Sequence, residues 1–274
     1  MVMRWLEFLK FYWRAHTKHS LDSPFLYEFA THVLDSSHVI PYGEELEKIR
    51  SSLLTNDLPL PLEQIGAGSR KYLGKQDTVA LMARSSLSSW EQQTFLYRLV
   101  AKYQPDTMLE LGTSFGISAL CQQLGNIKAK FISIEGRRFI HQIASDVHAR
   151  FPNPEIQPEL WCGTFDSLLP EALENLQQLD YLFIDGDHRY AHLLEYYKQC
   201  APYLRPSSVV VIHDIYWSEG MTKAWHEISH RPEVSVAIDL FHSGILFYQN
   251  EIREPIRVSI VSTKWKPHLM GFFR

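Results

Sequence analysis

Cysteine is scarce in this chain, with only Cys121, Cys162 and Cys200 in 274 residues and no CxxC pair among them. An odd number at wide spacing supports neither a disulfide framework nor a zinc site, so each reads as a buried thiol in a reducing cytoplasm. An excess of one charge is also missing, since 27 basic residues against 31 acidic ones leave a formal charge of −4. That balance gives no electrostatic footprint for nucleic acid or an acidic membrane, and leaves small molecules as the expected partners. Long apolar runs are absent too. The aromatic N-terminal stretch MVMRWLEFLKFYWRAH is interrupted by Arg4, Glu7, Lys10 and Arg14, and no small-residue cleavage site follows. It therefore predicts neither a signal peptide nor a membrane span. Its Trp5, Phe8, Leu9, Tyr12 and His16 keep the spacing of an amphipathic helix, which predicts an apolar face packed on the rest of the chain or on a second subunit in a homodimer. The tail KWKPHLMGFFR is a second interface candidate.

Repeats and low-complexity segments are not visible, and the two familiar phosphate loops are missing. QIGAGSRKYLGKQ, residues 64–76, is rich in glycine and basic residues but lacks the GK[ST] ending and a preceding strand, so it reads as a surface loop. The dinucleotide fingerprint also fails. Counted from Gly112, its three glycine places hold Gly112, Ser114 and Ile117.

What is present is an ordinary globular composition, 45% apolar and 21% charged, in a chain long enough for one large α/β domain with an appendage. Residues 1–87 read as a helical cap, with turns at DSP, IPYGEE and NDLPLPLE. Residues 88–274 read as a separate α/β domain. Short apolar runs near 107–111, 131–135, 157–162, 180–184 and 208–213 alternate with helices starting near 116, 137, 166, 190 and 219. That alternation predicts a Rossmann-like parallel sheet with helices on both faces. VSVAIDLF and GILFYQN are separated by too short a link for a crossover, so they predict a terminal antiparallel hairpin after the five parallel strands.

The first strand ends in LELGTSFGIS, which sets Glu110, Gly112 and Gly116 at a strand-to-helix turn. Such a turn suits a ligand with a zwitterionic amino-acid tail and no pyrophosphate. A carboxylate can take the N–H groups opening the helix, the glycines let backbone approach closely, and Glu110 offsets ammonium and sulfonium charge. S-adenosylmethionine has that make-up. FISIEG places Glu135 at the next strand tip, 25 residues further on, where a carboxylate holds two ribose hydroxyls. WCGTFDSLLP places Gly163, Thr164 and Phe165 at the third tip, beside the position of an adenine ring.

These segments, with YLFIDGDHRY and VVVIHDIYWSEGM, resemble the class I S-adenosylmethionine-dependent methyltransferases over roughly residues 88–250, most closely the O-methyltransferase-like branch with a DGxH motif after the fourth strand. HSLDSPFLYEF, GAGS and DIYWSEGMTKAW are similar to a bacterial group carrying an HSPF-type segment. The resemblance implies that Glu110, Gly112, Ser114 and Gly116 line the methionine end, Glu135 the ribose, and Thr164 and Phe165 the adenine, with Asp185 also at the cofactor. It further implies that aspartates at the fourth and fifth strand tips hold a divalent cation, magnesium or manganese, for the acceptor oxygen. Here those are Asp185 and Asp214. His213 stands where the related proteins carry an oxygen ligand, and it shares an ion with Asp214 only if the strand has already turned.

The chemistry expected is methyl transfer to an oxygen of a small-molecule acceptor, with His188 as general base and Asp185 beside it. N-methylation and a non-catalytic cofactor-binding protein are the alternatives. Asp187 fits either a helix-capping turn or a ligand, Tyr216 and Trp217 fit either the core or the acceptor pocket, and His19 and Ser20 fit a capping or packing contact.

Overall fold

A computed structural model describes residues 2–61 and 78–266. All of QIGAGSRKYLGKQ, the GAGS segment included, lies outside the described residues, as does the tail beyond Lys266. Ten helices and eight strands are described: α1 (Val2–Arg14), α2 (Pro24–Phe29), α3 (Gly43–Leu54), α4 (Val79–Ser86), α5 (Trp90–Tyr103), β1 (Thr107–Leu111), α6 (Ile117–Gly125), β2 (Lys130–Glu135), α7 (Arg138–Ala149), β3 (Glu159–Cys162), α8 (Phe165–Leu176), β4 (Leu179–Ile184), α9 (Tyr190–Cys200), β5 (Leu204–His213), α10 (Glu219–Ser229), β6 (Val236–Asp239), β7 (Ser243–Phe247) and β8 (Ile256–Ser259). None of the described helices is long and apolar enough to cross a membrane.

The strands form one sheet in the order β3-β2-β1-β4-β5-β7-β6-β8. β1 to β5 are parallel, and β7 runs antiparallel between β5 and β6 as the expected hairpin. β8, which the sequence reading did not include, adds to the edge parallel to β6. It is a four-residue strand, IRVS, in which apolar and polar residues alternate, and its shortness gives that period little weight. Beyond it, His16 N donates to Ser259 O and Val261 N to His16 O, both at 2.8 Å, which ties the end of α1 to the sheet margin.

Side chains alternate between the two faces of the sheet. Leu109, Leu111, Ile132, Ile134, Leu182, Ile184, Val210 and Ile212 join α8, α9 and α10 in one core. Met108, Phe131, Tyr181, Phe183, Val209 and Val211 join α2 and α5 in the other. Burial on both faces explains the near-continuous apolar strands that were legible in the sequence. α6 and α7 pack with α3 and α4 in a third cluster.

Two local expectations are corrected. Cys121 and Cys200 are buried, but Cys162 is exposed, because it ends the edge strand β3. On α1 the face that packs on the chain runs through Phe11 and Ala15 with Phe8, which meets Phe241 edge-on at 5.0 Å, whereas Trp5 is 64% and Trp13 78% exposed. Ser20 makes a local capping contact, accepting from Thr17 N at 3.3 Å and donating to Thr17 O at 3.1 Å.

Candidate active site

The strand order reverses between β1 and β4, and open α/β sheets bind ligands outside the carboxyl ends of the strands at such a switch point. The glycine turn lies there. Asp185 N donates to Leu111 O at 2.9 Å, and Gly112 N donates to Ile134 O at 3.0 Å, so β4 and β2 grip the end of β1 from both sides. Gly112 has φ +112°, and a Cβ added there would press into the Asp185 carbonyl. Gly116 has φ +82° and precedes α6, whose first turn carries no acid and whose start has no side-chain cap. His148 covers Gly116 from α7, with its Nε2 on Gly116 O at 2.8 Å, and burial pushes its pKa down to about 4.

Glu110 and Glu135, two strand-end acids, sit in different surroundings. Glu110 is fully buried, and its oxygens accept from Ser118 at 2.6 Å, Gln122 at 2.9 Å and the Ser133 hydroxyl, which also meets Thr113. Burial pushes its pKa up to about 7 even though those three hydrogen bonds favour the anion. Gln122 and Ser118 lie one turn apart on α6, while Ser133 interrupts an otherwise apolar strand; that interruption was the one sequence signal for this set. Glu135, at the tip of β2, accepts from Ser114 N at 2.9 Å and pairs with Arg137 Nε at 3.2 Å. Thr164 starts α8 and donates to Ser167 Oγ at 3.0 Å, and the Phe165 ring lies against Gly186 and edge-on to Tyr196 at 5.4 Å.

Glu110 gives a pH prediction. The unfolded chain releases this proton near the ordinary 4.5, while the folded protein keeps it to about 7. The contribution to stability is therefore complete below 4.5 and declines as pH rises through about 7, by on the order of 3 kcal/mol. Glu110→Gln is expected to remove that decline. Urea midpoints across the window check it, and parallel curves for wild type and variant would contradict it.

Beyond β4 and β5 four polar side chains converge. His213 Nδ1 lies 2.9 Å from Asp185 Oδ1, and His188 Nε2 lies 4.0 Å from both Asp185 Oδ1 and Asp214 Oδ2. β5 ends at His213 and Asp214 has φ +55°, so the strand has turned and both side chains reach the same cluster, His213 Nδ1 standing 3.8 Å from Asp214 Oδ2. No group of three His, Cys, Asp or Glu side chains with the arrangement of a metal centre occurs among the described residues. Asp185 and His213 contact each other directly instead. Asp187 is drawn off by Arg189, His192 and Tyr196; although its burial opposes ionisation, Arg189 and His192 hold its pKa below the ordinary value.

Tyr216 and Trp217 part company. The Trp217 ring lies 6.0 Å from the His188 ring. Tyr216 stacks on Phe241 at 5.0 Å, and its hydroxyl donates to Asp239 at 2.7 Å and accepts from Arg14 at 2.7 Å. Arg14 was not legible as a partner of this loop, being some two hundred residues away.

Comparison with known proteins agrees with this geometry. Residues 109–215 match the family model described as a methyltransferase domain. Over an alignment 176 positions long that covers 57% of this chain, the sequence is 29% identical to an uncharacterised protein, y4gI, of Sinorhizobium fredii, and spans only 18% of that relative's length. Among solved structures, an O-methyltransferase from Bacillus cereus in complex with S-adenosylhomocysteine is similar at TM-score 0.55 and 20% identity, covering 78% of this chain and 94% of that one. The O-methyltransferase TomG from Streptomyces achromogenes, involved in tomaymycin synthesis and solved with S-adenosylmethionine, is similar at TM-score 0.56 and 18% identity, covering 80% of this chain and 96% of that one. At these identities the structural likeness is one of fold. Residues 109–215 are therefore similar to a methyltransferase domain, and the sheet around them has the Rossmann-like fold of the solved methyltransferases.

Proposed function

We propose that the chain transfers the methyl group of S-adenosylmethionine to an oxygen of a small-molecule acceptor, in the cytoplasm, with His188 as the general base. The observation that carries this reading is His188 flanked by the carboxylates of Asp185 and Asp214 beside the glycine turn. When bound, S-adenosylmethionine supplies a methyl group on a sulfonium, already activated for displacement. The chain's own residues do the rest. The uncapped start of α6 near Gly116 fits the carboxylate of an amino-acid tail, with Gly112 and Ser114 in the approach to it. Glu135 would hold the ribose hydroxyls, and Thr164 and Phe165 the adenine. Glu110 would act by charge from below, a neighbouring cation favouring its ionised form.

For the transfer, His188 Nε2 accepts the acceptor's hydroxyl proton as that oxygen attacks. Asp185 and Asp214 stabilise the imidazolium so formed, and His213, with its Nδ1 2.9 Å from Asp185 Oδ1, packs against that carboxylate. The proton then leaves to solvent. Residues 1–87 serve in this proposal as a cap over the acceptor. Incubation with methyl-labelled cofactor and a metabolite extract tests the whole reading. A labelled oxygen ether or ester supports it, a labelled amine points to N-methylation, and cofactor binding without any product points to a non-catalytic protein.

Glu135→Ala is expected to weaken cofactor binding by about 1.5–3 kcal/mol, the scale of hydrogen bonds to a charged group. Calorimetry giving equal affinities would remove the ribose assignment. A divalent cation at Asp185, Asp214 and His213 is the second mechanism, favoured by the turn that brings the last two together. The metal-free mechanism predicts full activity after dialysis against a chelator. Activity lost on chelation and restored by magnesium or manganese would establish the other.

A further inference from the structure

Beside this cluster lies a cavity of about 1020 Å³, bounded by α1, α5, the segment after α2 and the β6–β7 turn. Its wall is aromatic, with Phe8, Phe11, Trp90, Phe95 and Phe241 among the lining side chains. His242 is also among the lining residues. That residue's carbonyl accepts from Asp214 N at 2.7 Å and its ring stands 6.4 Å from the His213 ring, so the cavity abuts the cluster that holds His188.

The charges around the cavity are unequal. Lys18 pairs with Asp35 at 3.4 Å, and Asp35 is further engaged by Ser262 and Thr263. Lys264 pairs with Glu91. Arg98 is different: its Nε donates to the His38 carbonyl at 2.9 Å, and among the described residues no carboxylate forms an ion pair with it. Thr94, Phe95 and Arg98 follow one another on one side of α5, which turns the guanidinium toward the same space as the Phe95 ring. Burial lowers the pKa of Arg98, the mark of a desolvated cation without a counter-ion, although a guanidinium stays charged at neutral pH.

We propose that this cavity holds the methyl acceptor, and that the acceptor is an aromatic hydroxy acid whose carboxylate pairs with Arg98 while its hydroxyl lies toward the His188 cluster. A planar carboxylate matches the fork of a guanidinium in a way that a neutral group does not. Flat rings suit the aromatic wall, and the volume is in the range of small-molecule sites. This deepens the methyl-transfer reading and rests on it for the fate of the bound molecule.

The test uses 6-hydroxy-2-naphthoate and its methyl ester, with calorimetric titration of the full chain at neutral pH. Wild type is expected to bind the acid about tenfold or more tighter than the ester, the scale of one charge-assisted pair. Arg98→Gln should erase that preference and Arg98→Lys restore part of it. Because the acid and ester are compared on one wild-type protein, a variant that fails to fold does not blunt the result. Equal affinities in wild type, an unchanged preference in Arg98→Gln, or no binding of either compound overturns the proposal. Calorimetry reads binding without turnover. Acid binding without methyl transfer therefore overturns the proposed function alone, and methylation of neutral acceptors with no preference for the acid overturns the Arg98 site alone.

Discussion

Replacing His188 with alanine is expected to lower kcat by about 10²–10⁴ while leaving cofactor affinity unchanged, because a positioned base contributes in that range and His188 is assigned no contact with the cofactor. The expectation rests on its place between Asp185 and Asp214, 4.0 Å from a carboxylate oxygen of each. An acceptor hydroxyl is a weak nucleophile until its proton is removed, and two flanking carboxylates favour the protonated imidazole that results. The split between kcat and cofactor binding is what identifies the role. A variant that keeps kcat within about threefold would move the base elsewhere, with His213 next in line. Asp185→Asn is expected to lower kcat as well, since it removes both the charge beside His188 and the anchor of His213.

Gly112→Val is expected to cost about 3–4 kcal/mol or more of folding stability, well above the usual effect of a point change. Two independent causes act at one atom. The backbone has φ +112°, which a β-branched residue adopts only with strain, and the new Cβ would drive into the Asp185 carbonyl. That carbonyl belongs to the first residue after β4, whose N–H holds the end of β1, so it cannot retreat without opening the β1–β4 pairing. The sequence alone predicts this substitution to fill the cofactor's approach and to strain a turn of positive φ. The structure puts the conflict inside the protein. Urea unfolding, followed by circular dichroism, checks it, and a midpoint equal to wild type would contradict the account. Gly112→Ala, with the same Cβ and no branching, should fall between the two.

How much was legible varied with the range of the interactions involved. The five parallel strands and the hairpin were readable because buried strands require apolar runs and a two-residue link permits only antiparallel return. The starts of the central helices were readable for a similar reason, since the sequence changes character where a strand tip gives way to a helix, as at Gly116 and Thr164. β8 was not readable, because the alternation of IRVS runs over only four residues. Arg137 was near enough in sequence to Glu135 to have been noticed as a partner. Arg14, by contrast, meets Tyr216 and Asp239 only because α1 returns to the far margin of the sheet.

The sequence by itself determined the fold class, the order of the elements and the set of chemical groups at the strand tips, because those follow from local periodicity and from which residue ends which apolar run. Only the tertiary structure decided how those groups are used. It distinguished Glu110, sealed under α6, from Glu135, set at the tip of β2, although both end neighbouring strands in a similar sequence context. It turned the chain at Asp214 so that His213 and Asp214 reach the same cluster, and it drew Asp187 away toward Arg189 and His192. It also left Arg98 facing an aromatic cavity without a carboxylate partner among the described residues. Burial, charge pairing and the direction of a side chain depend on what packs against it from distant parts of the chain, and a one-dimensional pattern carries no record of those neighbours.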